Sequence, residues 1–140
     1  MTLYLDTSSL VKLYVQEPGS DDVRELVDQA AVVATSMVAY AEMRAALARL
    51  RREGELTAAR LAAAKREFES DWSSYLTFDV SAALAREAGE IAERYALRGF
   101  DAVHLASFAE LTRRAGSAET RFSSFDDRLN KAARRLLRGK

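Results

Sequence analysis

Cysteine is absent from the chain, and histidine occurs once, as His104. The first absence excludes disulfide staples, thiolate metal cages and a cysteine nucleophile, and it fits a reducing compartment. Net charge is also lacking: 21 basic residues balance 21 acidic ones, so no bulk basicity attracts nucleic acid. Any such binding has to come from where the charges are placed. Nowhere do about 18 uncharged apolar residues follow one another, as a membrane-spanning helix would need. The opening Met1-Thr2-Leu3-Tyr4-Leu5-Asp6 has neither the basic start nor the apolar run of a secretion signal. The expectation is a soluble, cytoplasmic protein. The 140 residues are 49% hydrophobic, enough for one core and too few for two, so a single domain spanning 1–140 is expected.

Strand and helix patterns alternate along the chain. Leu3 to Leu5 is a short apolar run that stops at Asp6, and Ser8 to Val15 then spaces its apolar residues as a helix does. After the turn at Pro18-Gly19-Ser20 come a helix over Asp21 to Ala30, a buried strand over Ala31 to Thr35, and a long helix from Ser36 to Glu53, closed by Gly54. Thr57 to Tyr75 reads as a helix, Leu76 to Val80 as a strand, and Ser81 to Leu97 as a helix ended by Gly99. Asp101 to Ala115 is apolar on most sides and reads as a buried helix; Thr120 to Ser124 is a last strand, and Asp126 to Leu137 a basic helix. Such alternation argues for a mainly parallel sheet of four to five strands, covered by helices on both faces.

In an open α/β sheet, ligands bind beyond the carboxyl ends of the strands. Four acids stand at or near such joints: Asp6, Glu42, Asp101 and Asp126. Aspartate is also a favoured helix cap, which accounts for Asp126 as well as catalysis does and leaves its neighbour Asp127 as an alternative cap or ligand. Asp101, soon after Gly99, fits a cap too. Asp6 is harder to explain structurally, because it interrupts a buried strand and acids are almost never buried without a partner. Glu42 lies two turns inside its helix, where capping is excluded; at about 100° per residue it shares a face with Val38, Ala39, Ala45 and Ala46. The competing explanation is a buried ion pair with Arg49.

Four carboxylates in one crevice repel one another unless a cation lies among them. Oxygen ligands without sulfur or a histidine cluster select magnesium or manganese, ions that activate water for in-line attack on a phosphodiester. Ser8 and Ser124, two residues from Asp6 and Asp126, are placed to hydrogen-bond carboxylates or bound waters, or simply to form caps and turns. His104 follows Asp101 by three residues and reads as a hydrogen-bonded core histidine in preference to a general base. Basic residues cluster as Arg44, Arg49, Arg51 and Arg52, and again as Arg128, Lys131, Arg134, Arg135, Arg138 and Lys140, two candidate phosphate-tracking surfaces. Tyr4, Tyr14, Tyr40, Phe100 and Phe125 are candidates for stacking on bases, with core packing the default for most of them.

Over nearly its whole length the chain resembles the PIN-domain family, and within it the VapC-type toxins. The resemblance lies in four segments in order: Leu5-Asp6-Thr7-Ser8-Ser9 through Tyr14, Thr35-Ser36 through Ala41-Glu42-Met43-Arg44 to Leu47, Phe100-Asp101-Ala102-Val103-His104 through Ala106, and Ser123-Ser124-Phe125-Asp126-Asp127 through Leu129. It implies a three-layer α/β/α sandwich with Asp6, Glu42, Asp101 and Asp126 as metal-binding acids. It also implies metal-dependent endonucleolytic cleavage of RNA, transfer or ribosomal RNA being targets of similar toxins, together with a homodimer and a small antitoxin. The last segment has Ser124 where threonine is frequent, which keeps the hydroxyl, and the family spacing favours Asp126 over Asp127. Two other functions compete. A metal-dependent phosphatase of the haloacid-dehalogenase type wants a second aspartate where this chain has Ser8. A catalytically silent PIN-like module binding RNA or protein would have no need of all four acids.

Overall fold

The computed structural model describes residues 1–139; Lys140, the last member of the second basic cluster, lies outside the described residues. Strand β1 (Thr2–Leu5) occupies the interior of the sheet, and its side chains alternate between two cores with the period of two that a pleated strand imposes. Leu3 and Leu5 point to one face and Tyr4 to the other. The chain continues through α1 (Thr7–Leu10), a 3₁₀ turn (Val11–Leu13), α2 (Ser20–Gln29), β2 (Val32–Ser36), α3 (Val38–Arg52) and α4 (Ala58–Trp72). It then forms β3 (Leu76–Phe78), α5 (Ala82–Tyr95), α6 (Gly99–Ala115), a second 3₁₀ turn (Ser117–Glu119), β4 (Thr120–Ser123) and α7 (Asp127–Leu137).

All strand pairings are parallel, and the order is β3-β2-β1-β4. The register sets Tyr4 beside Ala34 and Phe122, and Leu5 beside Ser123. Parallel strands need crossovers, and here the crossovers are helices that cover both faces. On one face α1 to α4 pack Leu10, Val23, Met43, Leu47 and Phe68 against Leu3 and Leu5. On the other, α5 to α7 pack Leu84, Ile91, Leu105, Phe108 and Leu129 around Tyr4 and Ala34. Helix α6 is buried on nearly every side from Ala102 to Ala109, in agreement with its apolar sequence. Because the strands run the same way, their carboxyl ends share one edge, where Asp6, Met37, Val80 and Phe125 emerge.

Several local expectations are corrected. The helix expected from Ser8 to Val15 is one α turn continued as 3₁₀, starting at Thr7 because Asp6 caps it. Gly99 does not end α5; Ala96 closes that helix at φ 55°, with Leu97 tucked into the core and its N–H bonded to Ala92, and Gly99 opens α6 instead. Asp101 is therefore inside the first turn of α6 and is not its cap. The inward stripe of α3 is Ala39, Met43 and Leu47, with Glu42 at its border and Ala45 exposed.

Candidate active site

Asp6 emerges from the carboxyl end of β1 and is only 4% exposed. One carboxylate oxygen, Oδ1, accepts hydrogen bonds from the Ser8 hydroxyl (2.7 Å) and the Ser9 N–H (3.0 Å), while Oδ2 accepts from the Ser124 hydroxyl (2.6 Å). The same two serines tie this acid to the last strand-to-helix joint. Ser8 Oγ accepts the Phe125 N–H (2.9 Å) and Ser124 Oγ accepts the Asp126 N–H (3.0 Å). Burial pushes the Asp6 carboxyl above the usual carboxylate range, despite the opposing hydrogen bonds from Ser124, Ser8 and Ser9. Among the described residues no ion pair to Asp6 forms.

Glu42 is half-buried, and its Oε1 accepts from the Thr7 hydroxyl (2.6 Å) and from His104 Nε2 (2.8 Å). Arg49, the ion-pair partner weighed from sequence, makes no bond to it. Burial acts to raise the Glu42 pKa, but the hydrogen bonds from His104 and Thr7, with the Arg98 guanidinium nearby, hold it below the ordinary value. His104, 2% exposed, lies 2.9 Å through Nδ1 from the Tyr4 hydroxyl, whose own pKa burial drives well up. Tyr4 thus keeps its proton, and His104 bridges the Tyr4 hydroxyl, through Nδ1, and Glu42, through Nε2. The histidine is a hydrogen-bonded core residue, as its apolar helix suggests, and one of its bonds reaches a candidate site acid.

Asp101 pairs with Arg98 (Oδ2 to Nε, 3.2 Å), and both line an open cleft of about 450 Å³ together with Glu42, Gly99 and Phe100. Asp126 caps α7, its Oδ1 accepting the N–H groups of Arg128 (2.9 Å) and Leu129 (3.1 Å). Asp127 is exposed on the first turn of that helix. Three of the four acids thus fall in two bonded groups, Asp6 with Asp126 through Ser124, and Glu42 with His104 through direct contact, while Asp101 lines the same cleft as Glu42. Each carboxylate is engaged by donors of the protein, and among the described residues no three His, Asp or Glu side chains are disposed to hold a metal ion. The donor chemistry nonetheless suits a hard divalent cation: oxygen ligands predominate, and a buried carboxylate has no cation paired to it. A larger groove, of about 810 Å³, lies toward the amino end of β2 and contains none of the four.

Of the basic residues, Arg44 is held on the outer surface by Tyr40 and Glu69, and Arg51 bonds the Leu56 carbonyl. Arg49, Arg128 and Lys131 are exposed. Sequence reasoning missed Thr7 and Arg98. A hydroxyl directly after the strand-ending acid, and a cation three residues before Asp101, were the signals available.

Comparison with known proteins agrees with this geometry. The PIN domain family model matches residues 3–135. Two curated relatives, ribonucleases VapC45 and VapC49 from strains of Mycobacterium tuberculosis, are each 42% identical over 105 residues, covering 75% of this chain and 73% of theirs. Among solved structures, the sarcin-ricin loop cleaving toxin VapC20 of M. tuberculosis superposes with a TM-score of 0.65 at 21% identity, covering 93% of this chain and 94% of that one. A toxin–antitoxin complex from Klebsiella pneumoniae gives 0.56 at 17% identity, covering 85% and 95%. This chain belongs to the PIN-domain family.

Proposed function

We propose that the protein is an endoribonuclease of the VapC kind, the toxin of a toxin–antitoxin pair, acting in the cytoplasm with a magnesium or manganese cofactor. Its relatives at 42% identity are ribonucleases, and PIN-domain ribonucleases generally depend on a divalent metal. The observation that carries the reading is Asp6: a carboxylate buried at the carboxyl end of the central strand, oriented by three donors and unpaired with any cation among the described residues. Asp6, Glu42, Asp101 and Asp126 would hold the metal. When bound, a divalent cation makes water nucleophilic and stabilises the oxygen leaving a phosphodiester.

The remaining side chains position these acids. Ser8 and Ser124 fix the two oxygens of Asp6, and Thr7 and His104 fix Glu42, so neither acid has to be ordered when substrate arrives. Arg128 and Lys131 on α7, with Arg44 and Arg49 on α3, are the proposed phosphate contacts. A structured RNA, transfer or ribosomal, is the proposed substrate, and a homodimer neutralised by a small antitoxin protein the proposed assembly. The absence of a membrane-spanning helix among the described residues is compatible with this setting.

The test is to induce wild type and Asp6→Asn side by side in bacterial cells, following growth while mapping new RNA ends. Growth arrest with discrete new ends only in wild type supports the reading; identical RNA and growth favour a silent binding module. In purified protein, Asp101→Asn is expected to lose cleavage of a susceptible RNA by at least a hundredfold while melting like wild type. Retained cleavage would remove Asp101 from the site.

A further inference from the structure

Of the twelve aromatic side chains, ten are buried or half-buried, and the two exposed ones, Phe100 (61%) and Phe125 (46%), each directly precede a candidate site acid. Neither is needed by a core. Phe100, the second residue of α6, lines the cleft that contains Glu42, Asp101 and Arg98. Phe125 follows β4, its N–H anchored on Ser8 and its ring under the Lys12 ammonium, 4.5 Å from the ring centroid. Gly19, at φ +94°, passes so close that a Cβ there would come within 2.6 Å of the Phe125 ring, so one edge of the ring is closely packed while the residue stays 46% exposed. In the strand order β4-β1-β2, Phe125 stands on the β4 side of Asp6 and Phe100 on the side of the helix following β2.

Two exposed rings bracket the acids, each near a cation that is already ion-paired, Lys12 with Glu17 (2.8 Å) and Arg98 with Asp101 (3.2 Å). With the nearby cations engaged, what each ring offers a nucleotide is an apolar surface on which a base stacks. A base can stack in this way only when it is released from its own helix, because paired bases are already stacked on their neighbours. We propose that Phe100 and Phe125 are base-stacking residues that select unpaired nucleotides and hold them on either side of the acids. The inference rests on the ribonuclease reading and adds the two side chains of this chain that hold the bases.

The test measures binding of the full chain in chelator, so that cleavage and metal play no part. The probes are a labelled mixed-sequence single-stranded RNA, the same strand in a perfect duplex, and the same backbone carrying abasic sites. Wild type is expected to prefer the single strand. Phe100→Ala and Phe125→Ala are each expected to weaken that binding about tenfold and leave duplex binding unchanged, as base-on-aromatic stacking implies. Phe100→Trp is expected to keep the affinity, with an indole emission that the intact strand quenches and the abasic one does not. Equal losses on single strand and duplex, or no loss, overturn the proposal. So does a pair of alanine variants that bind RNA normally and lose only neutralisation by the antitoxin, which would make the rings a protein-docking surface. If wild type neither binds nor cuts any of these RNAs or cellular RNA, the ribonuclease reading itself fails; if it cuts and the variants match it, stacking alone fails.

Discussion

Asp6 is the residue at which stability and the proposed chemistry conflict. A carboxyl whose pKa is raised by folding binds its proton more tightly in the folded state, so stability declines as pH rises from the usual carboxylate range through the folded value. Asp6→Asn removes that cost and keeps an oxygen for Ser8 and Ser9. The metal-free variant is therefore expected to melt several degrees above wild type at neutral pH, about 2–8 °C per kcal/mol regained, and the two to converge in acid. Added magnesium or manganese should raise the melting temperature of wild type and leave the variant unmoved. Calorimetry across pH, with and without metal, checks both, and a metal-free variant less stable than wild type would mean that the three donors outweigh burial. Glu42 has the opposite sign: its lowered pKa contributes stability above the ordinary carboxylate range, lost as pH falls.

At the scale of elements, α7 begins where a candidate ligand also serves as its cap, and the two tasks can be separated. Asp126→Ala is expected to cost about 1 kcal/mol of stability with loss of cleavage, since two N–H groups lose their acceptor. Asp126→Ser retains an acceptor and should melt close to wild type while still failing to cleave. Full activity in the serine variant would make Asp126 a cap and nothing more. The ambiguity was visible in the sequence, because one aspartate at a strand-to-helix joint satisfies both demands. The alternation of strands and helices was legible for a related reason: Leu3 to Leu5 of β1 and Ala102 to Ala109 of α6 are buried, so their apolar runs admit few other readings. Helix ends were less so. Ala96 adopts a left-handed conformation that glycine usually takes, and only the burial of Leu97 next to it explains why the chain turns there and not at Gly99. Nor does sequence show that His104 joins Tyr4 to Glu42 across 100 and 62 residues, which takes the parallel sheet and α6 packed on it.

Over the whole molecule, charge balances to zero while its placement does not. Exposed Arg128, Lys131, Arg134, Arg135 and Arg138 give α7 a cationic outer face next to the site edge. RNA affinity of the metal-free protein is expected to fall linearly with salt on logarithmic axes, with a slope of about −0.7 for each phosphate contacted on a single strand. Replacing Arg128 and Lys131 together by glutamine should flatten that slope by one to two contacts, a change that filter binding at several salt concentrations resolves. An unchanged slope would place the phosphate contacts elsewhere.

The strand order also bears on when the protein becomes dangerous to the cell that makes it. β1 is synthesised before β2 and β4 but stands between them in the sheet, and β4 follows all the other strands along the chain. Until Thr120–Ser123 and the following turn leave the ribosome, Asp6 lacks the Ser124 hydroxyl and the Ser123 carbonyl that accepts its N–H, and Asp126 does not yet exist. A nascent chain, or one cut short by a stalled ribosome, is therefore an unfinished nuclease beside the RNA it could attack. The fold thus delays assembly of the proposed site until β4 and the turn after it have been made, an interval in which a neutralising protein can already be present.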